Sequence, residues 1–337
     1  MLNRRHVATL LGGLPFAAVA GPALAQQKSE ISITRQPGIL YLATHVIEKQ
    51  KLIEKHAERL GLAGITTKWI MFSGGGAQTD ALLSGNVDVV NTGTGNLLLL
   101  WDRTRGGVKG IAASSALPLQ LITRNPNIRS LKDFGPADRI AVPTVKVSTQ
   151  AILLQMAAAQ LYGPDQWAKL DANTVQLGHP DAVAALSNPQ HEVASHFSAP
   201  PFQANELKTV PGARIVIESP AIIGGPLTQG QFFATTRFAN ANPKVIEAIR
   251  AASVEAIAFI RKDTRAAVEI YKEITNDRTG VEDLLQLLAQ PGMMEWNLEP
   301  QGTMKFAQHL HKVGTLKTLP ASWRDYYFPV AHDLAGS

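Results

Sequence analysis

Small and hydroxyl-bearing residues come directly before four predicted helices, each time immediately after a predicted strand. These junctions are residues 73–76, 92–95, 144–149 and 178–180. Unpaired backbone N–H groups and aligned peptide dipoles at a helix N-terminus attract an anion, and glycine lets the backbone approach it closely. Junctions that face one crevice would form an anion pocket, whereas isolated ones would be only capped tight turns. The residues expected to form the pocket are Ser73, Gly75, Gly76, Thr92, Gly93, Thr94, Ser148 and Thr149.

Other side chains are candidates to contact the same ligand. Lys146 lies in the third junction, where it could neutralise an anion or be solvated. His179 comes just before a helix and could donate to a ligand oxygen or cap that helix. His196, followed by Phe197, ends an apolar run at a Ser/Pro bend, where it either faces the ligand from the end of a strand or has a structural role. Tyr41 either walls the pocket or packs in the core.

The spacing of residues excludes several other kinds of site. Residues 74–76 are not followed by the Gly-Lys-Ser/Thr of a nucleotide-binding P-loop, and neither they nor residues 92–97 have the G-x-G-x-x-G spacing of a dinucleotide site. The sequence has no G-x-S-x-G elbow and no Cys nucleophile. His309 and His311 are two residues apart, which puts them on different faces of a helix. We therefore expect no cofactor and no metal.

Strand-like and helix-like segments alternate along the chain, which predicts an α/β fold with parallel sheets covered by helices. The predicted strands are residues 31–35, 65–72, 87–91, 108–114, 119–123, 139–142, 174–177, 193–197 and 231–236. The predicted helices are residues 41–51, 78–83, 96–103, 148–162, 180–186, 243–262, 264–275, 281–289 and 301–313.

This order of elements predicts two lobes. The helical tail has no sheet of its own to cover, so we expect it to pack on the first series of strands. Lobe 1 is then discontinuous, residues 26–118 and 229–337, and lobe 2 is continuous, residues 119–228. Two crossing segments join them.

Composition is that of a globular protein, with 45% hydrophobic and 18% charged residues. A chain of 337 residues exceeds one core of ordinary size, in agreement with two lobes. Lys and Arg are scattered and only 6% of residues are aromatic, so nucleic acid is not an expected partner. We expect a monomer.

Residues 1–25 have the pattern of an export signal. Arg4 and Arg5 supply the basic start, residues 7–20 an apolar stretch and residues 23–25 a small-x-small cleavage pattern. Its removal takes away two Arg and no acid, so the net charge falls from +5 to +3. The expected compartment is the periplasm, reached by the twin-arginine route or by ordinary secretion. The sequence has no Cys, which excludes a lipoprotein anchor on an N-terminal Cys.

Several segments resemble the periplasmic solute-binding proteins of nitrate, taurine and aliphatic-sulfonate ABC importers, with their thiamine-precursor-binding relatives. They are GILYLA at 38–43, FSGGG at 72–76, ALLSGNVDV at 81–89, LKDF at 131–134, RIAVP at 139–143 and PDAVAAL at 180–186. The resemblance implies a two-lobed periplasmic binding protein type II fold, each lobe a sheet covered by helices, with a hinge that closes the lobes on a ligand. By position it places ligand contacts on Gly38, Ser73, Gly75, Thr92, Thr94, Ser114, residues 146–149, His179 and His196.

The resemblance also implies a function without bond chemistry. A protein of this kind captures a small organic anion, such as a sulfonate or carboxylate, or a heterocycle, and delivers it to a membrane permease with its ATPase. Residues 188–197 depart from the pattern of the relatives and no arginine is placed to clamp a sulfonate, so the ligand stays open. The alternative is an enzyme on the same fold, of the thiamine-pyrimidine or menaquinone pathway type. The lack of Cys and the export signal argue against it.

Overall fold

Ten strands form two sheets in the computed structural model, which describes residues 28–337; the predicted export signal lies outside them. The strands are β1 Glu30–Arg35, β2 Thr66–Met71, β3 Val89–Thr92, β4 Val108–Ser115, β5 Gln120–Thr123, β6 Arg139–Val142, β7 Thr174–Gln176, β8 Val193–Ser198, β9 Arg214–Glu218 and β10 Gly230–Thr235. The first sheet has the order β2-β1-β3-β10-β4 and the second the order β7-β6-β8-β5-β9. All nine predicted strands are present, and β9 was not predicted.

Both sheets are mixed, which corrects the expectation of parallel sheets. In the first sheet β1 is parallel to β2 and β3, whereas β10 is antiparallel to β3 and β4. In the second, β6 is parallel to β7 and β8, whereas β5 is antiparallel to β8 and β9. The antiparallel strands β5 and β10 are the first strands after the chain has crossed from the other sheet. Each of these strands joins its sheet directly from the other lobe, without the helical crossover that connects parallel neighbours within one sheet.

Thirteen helices cover the sheets. They are α1 Leu42–Lys49, α2 Leu52–Arg59, α3 Gly75–Leu83, α4 Thr94–Arg103, α5 Thr149–Tyr162, α6 His179–Ser187, α7 Phe202–Thr209, α8 Ser219–Ile223, α9 Thr236–Ala241, α10 Pro243–Lys262, α11 Thr264–Thr275, α12 Val281–Leu288 and α13 Thr303–Lys312. The single helix predicted for residues 41–51 ends early, because Lys51 adopts the left-handed conformation (φ 48°) and α2 starts after it. Helices α2, α7, α8 and α9 were not predicted.

The helical tail contacts the helices and strands of the first sheet. Helix α10 contacts α1, α2 and β4, and α13 contacts α4. The contact face of α10 is an apolar stripe at helical spacing, and all of its members are fully buried: Val245, Ile249, Ala252, Ala256 and Ile260. We call the unit on the first sheet lobe 1 and the unit on the second lobe 2. The predicted boundaries at residues 118 and 228 stay predictions.

The longest helix is α10, with 20 residues. Neither it nor any other helix between residues 28 and 337 is long and apolar enough to span a bilayer.

His45 makes the stability of lobe 1 dependent on pH. Its side chain is fully buried, 5.5 Å from the Tyr271 ring, and burial, assisted by the charge of Arg35, lowers the pKa of His45 to about 3. The unfolded chain binds a proton at His45 below pH ~6.5, and the folded chain does not, so stability is lost as the pH falls. We expect His45 alone to cost about 2 kcal/mol between pH 8 and pH 5 in urea unfolding. His45→Leu should reduce the difference between the free energies of unfolding at pH 8 and pH 5 by that amount. An unchanged difference would contradict the assignment of this pH dependence to His45.

Candidate functional site

The four predicted junctions meet between the lobes. Residues 73–76 and 92–95 follow β2 and β3 in lobe 1, and residues 144–149 and 178–180 follow β6 and β7 in lobe 2. All four lie at the carboxyl ends of their strands, where open α/β sheets bind ligands. The backbones approach closely across the lobes: a Cβ on Gly74 would lie 3.4 Å from the Pro143 carbonyl oxygen, one on Gly76 3.4 Å from Thr144, and one on Gly178 3.3 Å from the Ser73 carbonyl oxygen.

Glycine is needed where the lobes come closest. A Cβ on Gly93 would lie 2.6 Å from Thr149 Oγ1, and a Cβ on Gly95 would lie 2.5 Å from the Val147 carbonyl oxygen. Both distances are shorter than any real Cβ contact. The glycines of the second junction therefore allow the start of α4 to pack directly against the loop before α5.

A small cavity of about 30 Å³ remains at the centre of these contacts. Seven of the fifteen residues predicted from the sequence line it: Tyr41, Gly75, Thr92, Gly93, Ser148, Thr149 and His179. Six lining residues were not predicted: Gln36, Leu40, Asn96, Pro143, Gln150 and Gln229. The volume is roughly the share of one water molecule in the liquid, so an organic ligand enters only when the lobes move apart.

Helix N-termini point their backbone donors at this cavity. Helices α3, α4 and α6 begin after Gly74, Gly93 and Gly178, and none of these three helices has a side-chain cap. Helix α5 is capped by Ser148, whose hydroxyl accepts a hydrogen bond from the Ala151 N–H at 3.3 Å. The uncapped N-termini leave backbone donors and partial positive charge for a ligand.

Three side chains add unused donors. Thr149 Oγ1 and Gln229 Nε2 are buried without a hydrogen-bond partner among residues 28–337. The Tyr41 hydroxyl accepts from Gln36 Nε2 at 2.7 Å, and burial raises the pKa of Tyr41 far above its ordinary value, so the phenol keeps its proton. That proton is available to a ligand. Since a buried polar group without a partner costs free energy, these donors favour binding of a hydrogen-bond acceptor.

The lining of this cavity carries no fixed charge within residues 28–337. Among the described residues that line the cavity, none is Lys, Arg, Asp or Glu. Lys146 is exposed on the third junction in the left-handed conformation (φ 65°), outside the cavity lining. Arg35, which could have faced the cleft, pairs with Glu48 at 2.6 Å.

His179 is the innermost member of a chain of buried polar side chains in lobe 2. Its Nδ1 lies 2.8 Å from His196 Nε2, and His196 Nδ1 lies 2.5 Å from Glu206 Oε1. On the cavity side, His179 Nε2 lies 3.3 Å from Gln150 Nε2, and the Phe202 ring stacks on the imidazole at 5.3 Å. Burial, with His196 beside it, holds the pKa of His179 well below its ordinary value, so His179 is neutral at pH 7. We call Glu206, His196 and His179 the relay.

Some predicted contacts lie behind the cavity rather than on its surface. His196 is fully buried and reaches the cavity only through His179. Phe197 is fully buried in the core. Gly38 (φ 110°) packs against the Pro200 carbonyl and the Phe202 ring.

The remaining predicted residues shape the walls. Ser73 and Gly76 contact lobe 2 residues, as described above. Thr94 Oγ1 donates to the Thr228 carbonyl at 2.6 Å, which ties α4 to the second crossing segment. Ser114 is buried in β4 and its hydroxyl has no partner within residues 28–337.

The cavity-lining residues that were not predicted had only weak indications in the sequence of a role in the site. Asn96 and Gln150 stand in the first turns of α4 and α5, next to predicted residues, and Gln229 is the first residue of the predicted second part of lobe 1. Glu206 had no signal, because α7 was not predicted. No group of three His, Cys, Asp or Glu suited to a metal ion occurs in residues 28–337.

Solved structures of solute-binding proteins share this architecture. The alkanesulfonate-binding protein SsuA of Xanthomonas axonopodis pv. citri, bound to MOPS, is 14% identical and superposes with a TM-score of 0.66 over 93% of this chain and 100% of its own. The periplasmic aliphatic sulphonate-binding protein SsuA of Escherichia coli is 17% identical, with a TM-score of 0.65 over 90% of this chain and 99% of its own. A protein of Bordetella bronchiseptica RB50 is 17% identical, with a TM-score of 0.70 over 91% of this chain and 97% of its own.

The sequence matches no protein-family model and no curated protein. At these identities the likeness establishes the fold. The two-lobed fold implied by the resemblance in the sequence is therefore confirmed: the chain has the periplasmic binding protein fold of the sulfonate-binding proteins.

Proposed function

We propose that the protein is the periplasmic substrate-binding component of an ABC importer. It captures a small organic anion or a heterocycle between its lobes and delivers it to a membrane permease with its ATPase. The observation that carries the proposal is the convergence of four strand-to-helix junctions on one cavity that has unused donors and no fixed charge. The export signal predicted for residues 1–25 agrees with a periplasmic protein.

Binding without fixed charge suits a transport receptor. Donors at helix N-termini and on neutral side chains hold an anion by hydrogen bonds and dipoles, and the ligand can leave when the lobes separate. Sulfonates, carboxylates and nitrate present the acceptor oxygens that such a site needs. A heterocycle with ring acceptors also meets the requirement.

Within residues 28–337, the relay is the one feature that would suit an enzyme on this fold. A histidine held by a carboxylate-bound partner can act as a general base. Here the atom that meets His179 Nε2 is the Gln150 amide nitrogen, which is not a nucleophile. The site therefore supports binding better than catalysis.

A ligand screen tests the proposal. The mature protein is heated with MOPS, ethanesulfonate, acetate, benzoate, nitrate and pyrimidine bases, and each compound is also checked for turnover. A ligand at about 100 times its dissociation constant adds about 2.7 kcal/mol to stability, which raises the melting temperature by several degrees. Turnover of a compound would replace the receptor function by an enzymatic one, and a panel without any shift would contradict the proposed ligand classes.

Thr149→Val tests whether the ligand binds in this cavity. The substitution keeps the shape of the side chain and removes a buried hydroxyl that has no partner within residues 28–337. We expect about tenfold weaker ligand binding, measured by calorimetry, and no loss of stability in the free protein. The matched control is Thr104→Val, because the Thr104 hydroxyl lies outside the cavity and donates to the Leu100 carbonyl. Equal affinities for the wild type and Thr149→Val would place the ligand elsewhere.

A further inference from the structure

The relay belongs to lobe 2 alone, so it persists when the lobes move apart. His179 opens α6, His196 lies in β8 and Glu206 lies in α7. His196 and Glu206 are both fully buried, and Glu206 Oε2 has no partner in the described part of the chain. A buried carboxylate held by one imidazole requires a reason beyond stability, since burial of a charge is costly.

Consider the relay with Glu206 ionised and a single proton on His196 as its resting state; the hydrogen bonds then determine the tautomers of both histidines. A Glu206 carboxylate accepts the proton of His196 Nδ1, so His196 Nε2 carries a lone pair. That lone pair accepts the proton of His179 Nδ1, so His179 Nε2 also carries a lone pair. Gln150 Nε2 donates to it. The resting relay therefore presents an acceptor to the cavity, which repels an anion.

One added proton reverses this polarity. If His196 holds both of its protons against the Glu206 carboxylate, its Nε2–H donates to His179 Nδ1, and His179 turns to the tautomer with a proton on Nε2. The cavity then receives a donor. The relay, with a charge of −1 at rest, becomes neutral, so an anion that enters together with a proton leaves the total buried charge unchanged.

The surroundings supply no other cation to this relay within residues 28–337. His196 lies opposite Ile122 of β5 and Ala141 of β6, which are apolar. The charged groups on the elements packed around the relay all have their own partners or are exposed. Among the cations, Arg124 and Arg214 donate to backbone carbonyls, Arg139 lies 3.9 Å from Glu192, and Lys208 pairs with Asp283. Among the carboxylates, Glu218 accepts from Gln120, and Asp181 is exposed in the first turn of α6.

We propose that each anion bound in the cavity is taken up with one proton, which the Glu206–His196–His179 relay holds. The inference rests on the proposed function, because it concerns the ligand of the same cavity. Anion affinity is then highest at low pH and falls as the pH rises, because binding requires a proton from solution and the proton concentration decreases. His179 acts as the ligand contact, and Glu206 and His196 act as positioning residues.

Calorimetry with ethanesulfonate and nitrate tests the inference, because both ions stay charged across the range used. Titrations at one pH in two buffers with different ionisation enthalpies count the protons taken up. We expect about one proton per anion, and about tenfold weaker binding for each unit of pH between 7 and 9. An anion that binds without proton uptake overturns the relay but leaves the receptor function, whereas failure of every compound in the screen contradicts the proposed ligand classes.

Glu206→Gln assigns the proton to the relay. The amide introduced by this substitution can donate to His196 Nδ1, so the whole chain of side chains can point its donors at the cavity without an added proton. We expect proton uptake to fall to about zero and anion affinity to become independent of pH. Glu218→Gln is the matched control in lobe 2 and should keep the uptake of one proton. Unchanged uptake in Glu206→Gln overturns the proposal.

A measurement without a ligand decides the resting state. Nitrogen chemical shifts of the two imidazoles in the free wild-type protein at pH 8 should show a proton on Nδ1 of both His179 and His196. A proton on Nε2 of His179 under these conditions overturns the proposal, whatever the ligand is.

Discussion

Gly95→Ala is expected to weaken ligand binding by about 10- to 100-fold while it leaves the free protein at least as stable as the wild type. The added Cβ would lie 2.5 Å from the Val147 carbonyl oxygen and 2.4 Å from Ile152 Cδ1, both in lobe 2. The isoleucine can rotate away, but the carbonyl belongs to the backbone. The lobes must therefore stay apart by several tenths of an ångström, and overpacking of this kind costs about 1–3 kcal/mol.

Within lobe 1 itself, Gly95→Ala is expected to increase the free energy of unfolding. Gly95 is the second residue of α4, where alanine lowers the entropy of the unfolded chain and suits a helix. A gain of some tenths of a kcal/mol in the free energy of unfolding is expected. Calorimetry measures the loss of affinity for the ligand found in the screen, and small-angle scattering shows whether that ligand still reduces the radius of gyration.

Gly76→Ala is the matched control. Gly76 is also the second residue of a helix that faces the other lobe, but a Cβ there would lie 3.4 Å from Thr144, an ordinary contact. We expect its affinity to stay within about threefold of the wild type, since a surface change of this kind costs less than about 0.5 kcal/mol. If Gly95→Ala binds as well as Gly76→Ala, the closed contact of the junctions is not the ligand-bound arrangement.

The junctions were predictable because their signals are local. Glycine, serine and threonine before a helix indicate its start, and the alternation of strands and helices places each start at the carboxyl end of a strand. These two rules place residues 73–76, 92–95, 144–149 and 178–180 at the ends of strands, whereas their position opposite each other depends on how the two lobes pack.

The depth of each side chain was not predictable, because it depends on packing between distant segments. His196 ends a predicted strand, as expected, yet the pairing of β8 with β5 and β6 buries its side chain one hydrogen bond behind His179. Lys146 lies in the predicted junction, but its left-handed backbone places the side chain at the surface. The sequence of α7, FQANELKT, has no periodic apolar pattern, so Glu206 could not be connected with either histidine.

His196→Ala is expected to lower the free energy of unfolding by about 3–5 kcal/mol, a large part of the stability of an ordinary domain. The substitution leaves Glu206 fully buried without the hydrogen bond to His196 Nδ1. Removal of the one hydrogen-bond partner of a buried carboxylate is costly, because its charge then stays in the interior without any compensation. Ligand binding should weaken as well, since His179 loses the group that fixes its tautomer. Urea unfolding at pH 7 measures the loss of stability.

Two further variants separate the unpaired charge from the lost volume. In the double variant His196→Leu, Glu206→Leu both polar groups are replaced by apolar ones, so we expect most of the stability to return, although the tautomer of His179 is still not fixed. His311→Ala removes an exposed histidine and should change stability by less than about 0.5 kcal/mol. A double variant as unstable as His196→Ala would mean that an unpaired Glu206 charge is not the cause of the loss, because this variant has neither that charge nor an empty space at residue 196. The charge that the relay is proposed to balance against an entering anion would then have no support from stability.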